Sequence, residues 1–224
     1  RLPVGMLLPL AGHSVQAERF ALQAQASEPT KKRLWQQVVR AKLSAQARLL
    51  SDLRGTDLGL AAMARRVRSG DPDNLEAQAS ARYWPALFPD PTFRRNVDGE
   101  DQNRLLNYGY AVLRAIVARA ICASGLHPSL GIHHHNRYDA FCLADDLMEP
   151  FRPLVDRAVV RYTEARGPDA PLDRQAKAAL LEALTGRLTL KGESRTPFDV
   201  AARAAASLAA VFEGTRKTLI LPEP

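Results

Sequence analysis

The sequence predicts a mainly α fold: a helical domain over residues 27–224, preceded over residues 1–26 by the end of a β domain and a linker. Three observations carry that expectation. After position 28, apolar residues recur at the helical period instead of alternating. The periodic stretches open on cap residues and close on glycines. Weak alternation is confined to "LLPLAGHSVQAERFALQAQ" near the start, with one short extended piece, "RLTLKGES", near the end. The chain begins with Arg1, and "RLPVGMLLPLAG" has neither the basic n-region nor the cleavage site of a signal peptide, so it reads as entered mid-domain.

The elements follow in order. Ser27 is an N-cap and Pro29 lies in the first turn of a helix through "PTKKRLWQQVVRAKLSAQARLLSDL", whose Leu34, Val38, Leu43, Ala45 and Leu49 keep helical period until Gly55 stops it. "DLGLAAMARRVRSG" is a second helix ended by Gly70. A third, "DPDNLEAQASARYWPALF", is capped by Asp73 or Asn74 and bent or ended by Pro85. Pro89, Pro91 and Gly99 mark a loop. "DQNRLLNYGYAVLRAIVARAICASG" carries a wide stripe of Leu106, Tyr110, Leu113, Val117 and Ile121, and reads as the central buried helix. "LHPSLGIHHHN" is irregular. The following helical stretch bends or restarts at Pro150 and Pro153. "GPDAPLD" links it to "RQAKAALLEALTG", and an Ala-rich helix, "TPFDVAARAAASLAAVFEG", comes last.

Composition narrows the classes. With 224 residues, 46% hydrophobic and 25% charged, the chain has the balance of a globular protein of one domain or two small ones. No run of eighteen apolar residues marks a membrane span. Lys and Arg number 31 against 24 Asp and Glu, which suits a polyanionic partner and equally suits a basic protein that merely stays in solution. Cys122 and Cys142 form no C-x-x-C pair and read as buried reduced thiols of a cytoplasmic protein.

"LGIHHHNRYDAFCLADDLMEP", residues 130–150, concentrates the chemistry. Asp146 and Glu149 are three apart and Asp145 and Glu149 four apart, so on a helix they share a face. Carboxylates beside a histidine-bearing turn suit a hard divalent cation, Mg2+ or Mn2+, better than zinc. The same acids equally suit a plain helix first turn, where the dipole favours them. Neighbours in an extended segment point to opposite sides, so His134 alone, or His133 with His135, faces one pocket. Glu76, on the first turn after Gly-Asp-Pro, says little taken alone.

Taken together, "GDPDNLEAQASARYWPALF", "NRLLNYGYAVLRAIVARAICASGLHPSLGIHH" and "NRYDAFCLADDLMEPFRPLVD" resemble the CRISPR-associated integrase, the "Cas-one" endonuclease family of the adaptation machinery. The order, the spacing and Leu106 to Tyr110 (Leu-Asn-Tyr-Gly-Tyr) all agree. The resemblance covers roughly residues 5–165 and is strongest over 70–155. "MEPFRPLVD" is most similar to the branch that accompanies Cas-nine systems. The resemblance implies an N-terminal β domain joined to a helical catalytic domain. It implies metal ligands at Glu76, after the Gly-Asp turn, at His134, fourth in Gly131-Ile132-His133-His134, and at Glu149, closing Asp-Leu-Met-Glu. Asp146 then becomes a supporting residue, and His133 and His135 become flanking residues.

The implied reaction is the insertion of short duplex DNA, new spacers, into a CRISPR array. A 3′-hydroxyl attacks a repeat phosphodiester with Mg2+ or Mn2+ at the site. The implied partners are double-stranded DNA (prespacer and repeat), a second copy of the chain, a small "Cas-two" bridging protein and, as a further candidate, a Cas-nine protein. Lys31, Lys32, Arg33, Arg40, Arg65, Arg66, Arg68, Arg94 and Arg95 are the candidate DNA contacts, each also readable as a solvated helix face. Tyr83 and Trp84 suit the core better than a base stack. The rival readings are a non-catalytic helical DNA-binding module and a metal hydrolase of small phosphate esters.

Overall fold

The computed structural model describes residues 15–88, 90, 92–190 and 192–223. Helices dominate: α1 (Gln16–Ala24), α2 (Glu28–Arg54), α3 (Leu60–Arg66), α4 (Leu75–Leu87), α5 (Gln102–Ala123), α6 (Cys142–Met148), a 3-10 turn (Glu149–Phe151), α7 (Arg152–Arg166), α8 (Arg174–Thr185) and α9 (Pro197–Phe212). An antiparallel hairpin of β1 (Leu188–Leu190) and β2 (Glu193–Arg195) pairs Leu188 with Arg195 and Leu190 with Glu193. It realises the extended piece expected at "RLTLKGES".

One expectation is corrected at once. Within residues 1–26, Gln16–Ala24 is a helix and not a strand, while residues 1–14 lie outside the described residues. The stretch is built from Ala, Gln, Glu and Leu, which are good helix formers, and a weak alternation over so few residues does not override that preference. α1 packs on α9, with Arg19 ion-paired to Glu213 at 2.8 Å. Its Gln23 is buried and clamps the turn after α5, donating to the carbonyls of His127 and Leu130 at 2.9 Å each and accepting from the His127 N–H at 2.8 Å.

α2 starts and stops as expected. The Ser27 side chain accepts from the Thr30 N–H, and Gly55, at φ 73°, turns the chain through the left-handed region. Leu34, Val38, Leu43 and Leu49 are buried, but Ala45 is only half-buried and Ala47 takes its place in the core. Two polar residues stand on this buried side, Lys42 and Gln46, only 7% and 2% exposed. α3 ends at Arg66, earlier than Gly70, because Val67 takes an extended conformation (ψ 120°). Its carbonyl is then held by Gln36 at 2.7 Å and by the Arg40 guanidinium at 2.8 and 3.1 Å, both reaching across from α2.

α4 is capped from further back than expected. Asn74 occupies the cap position at φ 51° and makes no side-chain cap bond. Asp71 does that work, its carboxylate accepting from the Leu75 and Glu76 N–H groups at 3.0 and 2.9 Å. Pro85 sits inside the last turn of the helix, which ends at Leu87.

α5 is the central helix, with Leu106, Tyr110, Leu113, Val117 and Ile121 buried against α6, α7, α8 and α9. Among the described helices it alone is long and apolar enough to cross a membrane, yet its apolar residues are engaged in this core and Arg104, Arg114 and Arg119 lie along it. Gly109 lets α7 approach: a Cβ there would lie 2.4 Å from Val155. Pro150 and Pro153 behave as expected, dividing α6 from α7 through the 3-10 turn. Cys142 is buried and Cys122 only half-buried, both as free thiols.

Candidate metal centre

Three segments meet beside α2: the start of α4, the loop Gly131–Asn136, and the junction of α6 with the 3-10 turn. Glu76 arrives on the first turn of α4, fixed by the Asp71 cap. Glu149 arrives on the 3-10 turn, its side chain 6% exposed. Lys42 joins them from α2: its ammonium is ion-paired to Glu76 Oε1 and lies 2.6 Å from Glu149 Oε2. Glu149 Oε1 in turn pairs with Arg152 at 2.9 Å. Burial works against the Glu149 carboxylate, but Arg152 and Lys42 outweigh it and hold the group below its ordinary pKa of 4.5.

His134 is placed by Asp146. The Asp146 carboxylate is fully buried and accepts from the N–H groups of Ile132, His133 and His134 at 2.7, 2.9 and 3.2 Å. Its Oδ1 also lies 2.6 Å from His134 Nδ1, and this hydrogen bond raises the His134 pKa despite partial burial. With Nδ1 so engaged, Nε2 is the nitrogen left for a ligand. Gly131 makes the loop possible: a Cβ there would stand 2.3 Å from the His134 carbonyl oxygen and 3.0 Å from Asp146 Oδ2. Trp35 on α2 braces the far side. His133 stacks flat on its indole, centroids 4.1 Å apart and planes 2° off parallel, and His134 meets it edge-on at 5.6 Å. His135 is exposed.

Two carboxylates and one imidazole are donors that suit a hard divalent cation with open positions. Glu149 Oε2 is buried, with the Lys42 ammonium as its partner at 2.6 Å. As they stand, the donors do not enclose an ion: among the described residues no three His, Cys, Asp or Glu side chains gather closely enough. Lys42 holds the two carboxylates meanwhile.

Comparison with known proteins gives the arrangement its context. The sequence matches the family described as "CRISPR associated protein Cas1" over residues 2–182. This chain belongs to the Cas1 family. It is similar to the CRISPR-associated endonuclease Cas1 of Neisseria meningitidis serogroup C (strain 8013), 40% identical over 226 aligned residues that cover 99% of this chain and 73% of that one. In structure it resembles a casposase bound to integration product, with TM-score 0.77 and 20% identity, covering 96% of this chain and 74% of that one. A Cas6-RT-Cas1–Cas2 complex gives TM-score 0.73 and 19% identity, covering 91% of this chain and 26% of that one. Likenesses at that identity establish a shared fold.

In this Cas1-family chain the candidate DNA contacts divide. Arg65 and Arg66, at the end of α3, are exposed, as is Lys32. Lys31 is half-buried and pairs with Glu28 at 3.4 Å. Arg68 is spent on Asp73, gripping its carboxylate at 2.9 and 2.6 Å across the turn that leads to Glu76. Arg94 is exposed and donates to the Phe93 carbonyl at 2.8 Å. Arg95 is directed inward, bonding Asn103 at 2.9 Å and Asn107 at 2.6 Å and lying 5.3 Å from the Tyr110 ring centre. Tyr83 and Trp84 serve the core: Tyr83 is buried, and Trp84 packs on it and on Phe93.

Lys42, Trp35 and Asp156 are functional candidates that the sequence reading missed. Asp156 is buried, accepts from Tyr83 at 2.6 Å and from Tyr110, and is driven by burial to a pKa of about 6 although both tyrosines oppose the shift. The signal for Lys42 and Gln46 was available, since polar residues at helix positions flanked by Val38, Val39, Leu43 and Ala47 break the binary pattern.

Proposed function

We propose that this chain is a divalent-metal-dependent DNA endonuclease and integrase, joining short duplex DNA into a CRISPR array by transesterification. The observation that carries the reading is the convergence of Glu76 and Glu149, from separate elements, on a single cationic group, with His134 fixed by Asp146 on the neighbouring loop. The names of relatives support it: one is an endonuclease, one solved structure is a casposase bound to integration product, and another complex includes Cas2.

Glu76, His134 and Glu149 would hold Mg2+ or Mn2+, which when bound polarises a phosphodiester and lowers the pKa of an attacking hydroxyl. The chain's own contribution is positional. Asp146 keeps the His134 proton on Nδ1, Arg152 secures Glu149, and the Asp71 cap sets the direction of Glu76. In the joining step a 3′-hydroxyl oxygen bonds to phosphorus as the opposite P–O bond breaks, and the departing 3′-oxygen takes up a proton. Arg65, Arg66, Lys32 and Arg94, all exposed, are the side chains from which sequence-independent phosphate contacts are drawn. The partners that go with this reading are duplex DNA, a second copy, a Cas2 bridge and a Cas9 protein, in the cytoplasm.

The test is strand transfer of a labelled short duplex into a supercoiled plasmid carrying a CRISPR repeat, with the Cas2 partner and with Mn2+ or EDTA. Joining that needs metal and is lost in both His134→Ala and Glu149→Ala supports the reading. Survival in His134→Ala alone moves the ligand to His133 or His135. Intact DNA binding without joining by the unaltered protein leaves a non-catalytic binding module.

A further inference from the structure

We propose that Lys42 is a resident cation of the metal centre. Its ammonium holds Glu76 and Glu149 together until a divalent ion takes them, and then passes to a phosphate of bound DNA, so that metal and DNA strengthen each other's binding. This inference rests on reading Glu76, His134 and Glu149 as ligands.

Lys42 occupies a core position on α2, one turn after Val38, and is 7% exposed. A lysine there would be costly without anions, and its two ion-pair partners are the two predicted carboxylate ligands, brought from α4 and from the 3-10 turn. Arg152 holds the other oxygen of Glu149 at 2.9 Å. Each of the two carboxylate ligands therefore already has a cationic partner. A divalent ion entering here competes with the ammonium for both carboxylates and adds positive charge to ground closed on the Glu149 side, where an excess charge is poorly solvated.

Two events relieve that excess. The ammonium must give up the carboxylates, and an anion must come in. A DNA backbone supplies one negative charge per phosphate. Glu149 Oε2 is where the exchange takes place, since the Lys42 ammonium stands 2.6 Å from it and an ion binding there must displace it. His134 leaves a way in, its side chain being 51% exposed. The consequence is reciprocal coupling: duplex raises metal affinity, and metal raises duplex affinity by the same factor. A Cas1-family nuclease built this way holds metal weakly until it is loaded with DNA.

Calorimetric titration of Mn2+ tests this, with unaltered protein, Lys42→Met, Lys42→Arg and Glu149→Ala, each with and without a short duplex and corrected for ion taken up by duplex alone. Lys42→Met is expected to bind Mn2+ about tenfold tighter than the unaltered protein without DNA, or about 1.4 kcal/mol. Lys42→Arg, which keeps the charge, gains nothing. Duplex tightens Mn2+ binding by the unaltered protein about fivefold or more, and by Lys42→Met less. Equal or weaker Mn2+ binding by Lys42→Met, with a cooperative melting curve, overturns the proposal. A duplex that leaves the unaltered protein's Mn2+ affinity unchanged overturns it too, and that arm needs no variant. If Glu149→Ala binds Mn2+ as the unaltered protein does, the ligand reading fails, and this proposal with it.

Discussion

Asp146→Asn isolates the residue that sets the histidine. The native carboxylate receives four donors, three backbone N–H groups at 2.7 to 3.2 Å and His134 Nδ1 at 2.6 Å, and it is fully buried. An amide has one acceptor oxygen. Placed at the Oδ2 position, that oxygen keeps the Ile132 and His133 N–H groups. The NH2 then faces the His134 N–H and Nδ1. The backbone donor is left unsatisfied, and Nδ1 becomes an acceptor, so the ring proton moves to Nε2, the nitrogen a metal needs bare.

One buried N–H stranded and one charge-assisted bond weakened come to roughly 2–5 kcal/mol of stability. For a chain of this length that is a melting-temperature loss of roughly 5–15 °C. Loss of the outer partner of a ligating histidine costs about 10–100-fold in metal affinity. Calorimetric melting and Mn2+ titration read the two effects separately. The neighbouring Asp145→Asn is the control: Asp145 grips Arg114 at 2.7 and 2.8 Å and makes no contact with His134, so its metal affinity holds. A folded Asp146→Asn protein that melts within about 1 °C of the parent and keeps its Mn2+ affinity within about twofold refutes the reasoning.

Other expectations follow from the same geometry. Gly131→Ala drives a Cβ into the His134 carbonyl at 2.3 Å, and the loop must move; it is expected to cost about 1–3 kcal/mol in a melting experiment and to lower metal affinity. Asp156 has its pKa raised from 3.8 to about 6, so the folded state binds a proton that the unfolded state releases near pH 4. Its contribution to stability therefore falls between about pH 4 and pH 6 and is level above, by on the order of 3 kcal/mol. The difference in unfolding free energy between the parent and Asp156→Asn, followed over that window by urea titration, should carry this slope, and a pH-independent difference contradicts it. Arg65→Ala with Arg66→Ala is expected to weaken duplex binding and flatten its salt dependence, read by fluorescence anisotropy against log salt, without shifting the melting temperature. Arg95→Ala should instead destabilise the protein, because its guanidinium holds Asn103, Asn107 and the face of Tyr110.

What the sequence determined by itself was local. Ser27 and Gly55 bound α2 because capping and left-handed turns depend on a few neighbouring residues, and the stripe from Leu106 to Ile121 marked α5 because a helix must bury one face. The proposed ligands Glu76, His134 and Glu149 came from family resemblance, with helical spacing giving only that Asp145 and Asp146 each share a face with Glu149. Tertiary structure decided the rest. It docked Gln16–Ala24 on α9 and turned Arg95 from a free cation into a strut. It also brought Lys42 from 34 residues before Glu76 to bridge that glutamate and Glu149. The physical reason is that a cap or a stripe is a relation between near neighbours, whereas the partner of a buried charge is fixed by which helices pack together.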